Sequence, residues 1–206
     1  MKIYLRNWVI LMRIGIDIDN VISDLDKTFL DEFLKEDKNK RNAGIINPTA
    51  KHMTEGMFDW TQEEIDEFLI NNMERMSMNF ELIPQCKYYI DKLKNDGNEI
   101  IIITGRDKRI FQNPEKVTKE WLKKNNIYYD ELIFKKSPNK IEECKKCRVD
   151  IMLDDLAINV KKMRENNINA YLVKTRYNEN YSLNMPILND WEHIYNFIVK
   201  MRSGVK

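Results

Sequence analysis

Two pairs of acids have the types and spacing for chemistry. Asp17 and Asp19 stand two apart in Asp17-Ile18-Asp19, and Asp154 and Asp155 are adjacent far downstream. Each pair closes a short apolar run, Ile14-Gly15-Ile16 in one case and Ile151-Met152-Leu153 in the other. If both runs are parallel strands of one sheet, the four carboxylates crowd one edge, repel one another and resist ionising. A hard cation with oxygen ligands relieves that repulsion, and Mg²⁺ suits carboxylate, carbonyl, water and phosphate oxygens. A third apolar run ends in Thr104-Gly105-Arg106, which offers phosphate oxygens a hydroxyl and an unhindered backbone amide. Lys140 can bring an ammonium to the same edge. Together these parts specify phosphoryl transfer: an acid nucleophile, an acid/base, a metal, a hydroxyl and a cation.

The elements that must position them follow from periodicity. Arg13 to Asp19, Glu99 to Thr104, Glu131 to Phe134, Val149 to Leu153 and Ala170 to Val173 read as five strands. The isoleucine run of the second is the pattern of a strand buried on both faces. Helical periods separate them. Pro84 suits a first turn, followed by Cys86, Tyr89, Ile90 and Leu93 on one face; Asn113-Pro114 opens a helix with Val117, Trp121 and Leu122 inward. Ser137-Pro138 is expected to open a third helix, with Lys140 in its first turn, and Asp190 a last one with Ile194, Phe197, Ile198 and Met201 inward. Such alternation implies an α/β fold, a Rossmann-like parallel sheet with helices on both faces in three layers. Residues 28–80 break the pattern. They read as a small helical cap inserted after the first strand, with a capping box at Thr61-Gln62-Glu63-Glu64. The expected core is 13–27 plus 81–206. A cap placed there lies over the carboxyl ends of the strands, where open α/β sheets bind ligands.

Composition narrows the class. The chain has 206 residues, 34 Lys+Arg against 33 Asp+Glu, and a net charge of +1. That balance disfavours extended nucleic-acid binding. Three cysteines, an odd number, argue against a disulfide framework and for a reducing, cytoplasmic setting. The apolar Trp8-Val9-Ile10-Leu11-Met12 falls short of the ~18–20 residues of a membrane span, so no membrane partner is expected. Residues 1–12 read as an N-terminal extension, either the product of a misassigned start codon or an extra strand or packing arm.

The acid-bearing words resemble the four motifs of the haloacid dehalogenase superfamily of phosphatases. Asp17-Ile18-Asp19-Asn20-Val21 resembles the first, Ile103-Thr104-Gly105-Arg106 the second, Lys140 the third and Leu153-Asp154-Asp155 the fourth, in order. Within it, Thr118-Lys119-Glu120-Trp121-Leu122, Tyr129-Asp130, Lys140 to Cys144, Tyr177-Asn178 and Trp191 are similar to the 5'(3')-deoxyribonucleotidase family and its bacterial relatives. Asn20 departs from the glycine common there, but asparagine tolerates left-handed backbone.

The resemblance implies a mechanism and a substrate. Asp17 attacks phosphorus, and Asp19 serves as general acid and then base. Mg²⁺ is held by Asp17, the main-chain carbonyl of Asp19 and Asp154, with Asp155 supporting it. Thr104, Gly105 and Lys140 bind the phosphoryl group. The implied substrate is a small phosphorylated molecule, first a nucleoside monophosphate; a sugar phosphate or other small metabolite is the alternative. A non-enzymatic phosphoacceptor is a further rival, but such domains usually carry their acid at the third strand, which here ends Phe134-Lys135-Lys136. A binding-only relative is disfavoured because every expected catalytic residue type is present.

Other residues admit two readings. Phe58 and Trp60 either stack on a nucleobase or pack inside the cap. Arg106 is structural or close to substrate. Lys135 and Lys136 compete with Lys140 as the site lysine. Met53, Met57, Met73, Met76 and Met78 suit cap packing. Cys144 and Cys147 form half a zinc motif without a second half. His52 and His193 read as ordinary surface or cap residues.

Overall fold

The computed structural model describes residues 11–178 and 187–203. Expectations for residues 1–10 lie outside the described residues. Six strands form one parallel sheet: β1 (Arg13–Ile16), β4 (Glu99–Thr104), β5 (Glu131–Phe134), β6 (Ile151–Asp154), β7 (Ala170–Val173) and β8 (Ile187–Leu188). Their order is β5-β4-β1-β6-β7-β8, so β1 sits between β4 and β6. Both acid pairs therefore emerge side by side at one edge. Gly15 permits this closeness: a Cβ there would come within 2.6 Å of the Met152 sulfur.

Alternation along the strands builds the two faces. Ile100 and Ile102 join one core cluster with Ile14, Ile16 and Leu153, while Ile101 and Ile103 join another with Met152, Ala170 and Leu172. Helices α3 (Cys86–Asn95), α4 (Pro114–Lys124) and α7 (Trp191–Arg202) contribute to the first cluster, and α5 (Ile141–Lys146) and α6 (Ala157–Glu165) to the second. This is a three-layer α/β/α arrangement. The expected inward faces of α3 and α4 are buried. Among the described residues no helix is long and apolar enough to cross a membrane.

The segment after β1 carries α1 (Leu25–Lys40) and α2 (Gln62–Ser77). At its two ends, β2 (Ser23–Asp24) pairs antiparallel with β3 (Glu81–Leu82). Asp24 caps α1, and Thr61 caps α2 through the anticipated box with Glu64. Phe33 anchors the segment, stacked on Trp60 at 4.9 Å and edge-on to Phe68 at the same centroid distance.

Several expectations need correction. β1 ends at Ile16, because the chain turns at Ile18–Ser23, where three backbone amides converge on the Ile18 carbonyl. Ser137-Pro138 opens no helix; α5 starts at Ile141, and Lys140 is its N-cap rather than a first-turn residue. Pro84 precedes the left-handed N-cap Gln85 and so stands just outside α3.

Candidate active site

Asp17 immediately follows β1, and its amide donates to the Leu153 carbonyl of β6, which holds it beside the neighbouring acids. Asp17, Asp154 and Asp155 offer carboxylate oxygens within 4.8 Å of one another, all three buried. Lys140 Nζ lies 2.6 Å from Asp17 Oδ2 and 2.8 Å from Asp154 Oδ2. Lys140 is only 1% exposed and sits at φ 62°, a conformation costing a non-glycine residue roughly 1–3 kcal/mol. The left-handed N-cap lies where the chain feeds this ammonium inward, and two ion pairs hold it there.

The charges explain the protonation behaviour. Burial, with Asp154 and Asp19 as neighbours, pushes Asp17 up to about 6 against the pull of Lys140. Asp155 is also raised, first by burial and then by Asp154 and Asp17. Burial works against the charge on Lys140, but Asp154 and Asp17 outweigh it and hold the ammonium above its ordinary range. Three ionised carboxylates against one ammonium leave two negative charges. The all-oxygen donor set and that residual charge fit a hard divalent cation.

Asp19 has a different partner. Arg106 Nη2 donates to Asp19 Oδ1 at 2.6 Å and Nε to Oδ2 at 3.0 Å. The guanidinium is boxed by the rings of Phe80, Phe111 and Trp121 at 5.6–5.7 Å. Arg106 therefore meets an acid of the site, and is absent from the residues lining the cleft. Asp19 itself lines that cleft, a cavity of about 270 Å³ shared with Asp17, Gly105, Lys135 and Asp155. Thr104 is buried at the end of β4, and its hydroxyl accepts the Arg106 amide.

Phe58 and Trp60 are not brought to the site. They are 2% and 8% exposed and pack on Phe33, while Trp60 Nε1 donates to buried Asp37 at 3.0 Å. This corrects the stacking expectation: their faces are occupied by other rings. Between the rival lysines, Lys140 enters the acid cluster, while Lys135 lines the cleft with Nζ donating to the Pro138 carbonyl.

Sequence reasoning missed other lining residues. Asn20, Asp26, His52, Thr54 and Tyr177 all face the cleft. Asn20 adopts φ 59°, as its type allows. Its side chain also works, accepting from the Asp26 amide and donating to Tyr177 Oη at 3.2 Å. His52 was read as an ordinary surface or cap residue, yet its ring lies 4.3 Å from that of Tyr177. The only signal for Tyr177 was its place in the flanking Tyr177-Asn178 word; nothing in the sequence pointed to His52.

This acid cluster at the carboxyl edge of a parallel sheet, with its buried lysine, is that of a hydrolase of the haloacid dehalogenase superfamily. The chain belongs to the family described as "5' nucleotidase, deoxy (Pyrimidine), cytosolic type C protein", which it matches over residues 10–203. It is 26% identical over 184 residues to "Putative nucleotidase YqfW" of Bacillus subtilis, covering 88% of this chain and 90% of that one. It is 22% identical over 196 residues to "Nucleotidase CA_C3379" of Clostridium acetobutylicum, covering 92% and 95%. Among solved structures it is similar to "a predicted phosphatase from Clostridium acetobutylicum", with a TM-score of 0.64 and 15% identity over 93% of this chain and 100% of that one.

Proposed function

We propose that this hydrolase is a Mg²⁺-dependent phosphomonoesterase acting through an aspartyl-phosphate on Asp17, with nucleoside monophosphates as its substrates. One observation carries the reading: Asp17 lines the cleft while Lys140 Nζ, 2.6 Å from its Oδ2, and the Ile18 amide, on its Oδ1, hold the carboxylate in place. In the mechanism, Asp17 attacks phosphorus in line and the P–O bond to the leaving group breaks. Asp19 gives that oxygen a proton, then takes one from the water that hydrolyses the acyl phosphate. Arg106 fixes the orientation of Asp19 between these steps. Thr104 and Gly105, at the end of β4, and Lys140 take up the phosphoryl oxygens. Asp17, Asp154, Asp155 and the Asp19 main-chain oxygen would hold Mg²⁺, which supplies charge neutralisation at the phosphoryl group when bound.

The nucleotide assignment draws on the family and on the names of the two nucleotidases. Residues 28–80 act as the cap that meets the leaving group, and the buried thiols of Cys86, Cys144 and Cys147 fit a reducing, cytoplasmic setting. A second reading, a sugar phosphate or other small metabolite, is favoured by the cleft size, which is below the usual ~300–1,000 Å³ of ligand pockets. The test is a hydrolysis panel of deoxynucleotides, ribonucleotides, sugar phosphates and an aryl phosphate, each with and without Mg²⁺. Preference for deoxynucleoside monophosphates is expected. Equal kcat/KM for nucleotides and sugar phosphates rejects the nucleotidase reading, and full activity in EDTA rejects the metal.

A further inference from the structure

The loop after β7 places three consecutive side chains on three different tasks. Asn178, 2% exposed, donates from Nδ2 to the main-chain carbonyls of Asp155 at 2.9 Å and Val173 at 2.7 Å, and its Oδ1 accepts the Thr175 amide. It thereby fastens the loop to the backbone of Asp155. Tyr177 takes the other end of the same residue, donating its hydroxyl to Asp155 Oδ2 while accepting from Asn20. Arg176 reaches the opposite way. Its Nη1 donates to the Ala50 carbonyl at 3.0 Å and its Nη2 to the Lys51 carbonyl at 2.7 Å, with Asp26 Oδ2 3.9 Å from Nε. The ring of Tyr177 meets His52 in the same stretch, 4.3 Å between centroids.

We infer that Tyr177 is a positioning residue for the cation site, and that Arg176 and Tyr177 together couple occupation of that site to seating of the 50–53 stretch over the cleft. This rests on the reading of Asp17, Asp154 and Asp155 as cation ligands. A carboxylate with one oxygen engaged by a phenol presents the other in a defined direction, so the entropy of aiming it is spent in advance. Asn20 makes the arrangement rigid, since its amide orients the same phenol from the turn that follows Asp17. The two links run in one strip of chain, Arg176 to the inserted segment and Tyr177 to the acid. Movement of either end is therefore felt at the other.

The links separate experimentally. Tyr177→Phe keeps the ring against His52 and removes only the hydroxyl. Mn²⁺ binding to the full chain, followed by electron paramagnetic resonance without substrate, should weaken by about 10-fold or more. The loss of kcat/KM for an aryl phosphate should shrink as Mg²⁺ is raised. Arg176→Ala should weaken Mn²⁺ binding as well, by the factor that the seated stretch contributes, because coupling between two sites is reciprocal. In the parent, Mg²⁺ should slow amide hydrogen exchange across residues 46–57; in Arg176→Ala that slowing should disappear. Parent-like Mn²⁺ affinity in Tyr177→Phe, or exchange in the parent that ignores Mg²⁺, overturns this inference and leaves the phosphatase reading standing. A parent that binds no Mn²⁺ overturns both. Thermal melts without metal show whether each variant is folded, and Tyr177→Leu provides a second removal of the hydroxyl if the phenylalanine variant fails.

Discussion

Asp17 and Asp19 sit two residues apart and depend on different partners. Asp17 is paired with Lys140, Asp19 with Arg106. Replacing Asp17 with Asn should lower turnover by more than about 10³-fold. Circular dichroism and the elution volume should remain those of the parent, because Lys140 keeps Asp154. Parent-rate hydrolysis of an aryl phosphate by this variant would show that the nucleophile lies elsewhere. Arg106→Met strips Asp19 of its fork. Removing one member of a buried pair costs about 3–5 kcal/mol, and Asp19, 24% exposed, should fall near the lower figure. Arg106→Lys should recover part of that stability in urea unfolding without restoring kcat, since a point charge cannot grip both carboxylate oxygens. Individual residues were only partly legible in the sequence. The acids and Lys140 could be found because each follows or precedes a recognisable element. The destination of Arg106 could not, because the three rings around its guanidinium come from β3's approach, the loop before α4 and α4 itself.

At the scale of elements, legibility tracked the length of the pattern. β4, β5 and β7 have the expected limits, as each is an apolar run between turn residues. β2, β3 and β8 have two residues each, too few for any periodicity, and arise from tertiary pairing. The third helix was misplaced because proline marks a first turn only where the next residues can wind on. Here Glu143 instead accepts the amides of Lys136 and Ser137 and holds that stretch as a loop. The inserted segment gives an element-scale test of the correction to Trp60. Trp60→Phe keeps a ring on Phe33 but leaves Asp37 without its indole donor. A lost donor to a buried acceptor costs about 1–3 kcal/mol. Stability should fall by that amount in urea, while KM for a nucleoside monophosphate stays within about twofold. A large rise in KM with unchanged stability would return Trp60 to the substrate.

For the whole molecule, the acid cluster sets how stability responds to pH. Asp17 is raised to about 6, and Asp155 is raised as well. A carboxyl with a folded pKa above its unfolded value, ordinarily near 3.9, holds its proton more tightly when folded. Its contribution is complete below about pH 4 and is lost as pH rises through about 6. The metal-free protein should therefore carry a larger penalty at pH 8 than at pH 5, and a divalent cation should remove it. The rise in melting temperature on adding Mg²⁺ should be larger at pH 8 than at pH 5, measured against EDTA controls. Equal rises at both would contradict this account.

The central strand β1 has a consequence for biogenesis. Both its neighbours are encoded late: β4 starts at Glu99 and β6 at Ile151, so the reactive corner cannot exist until the second of them has left the ribosome. At translation speeds of ~5–20 residues per second, β1 waits roughly 4–18 s for β4 and roughly 7–30 s for β6, and until the second arrives one of its edges has no partner. A nascent chain stalled before Ile151 should thus bind chaperones, resist no protease and hydrolyse nothing, and the enzyme should switch on late and all at once.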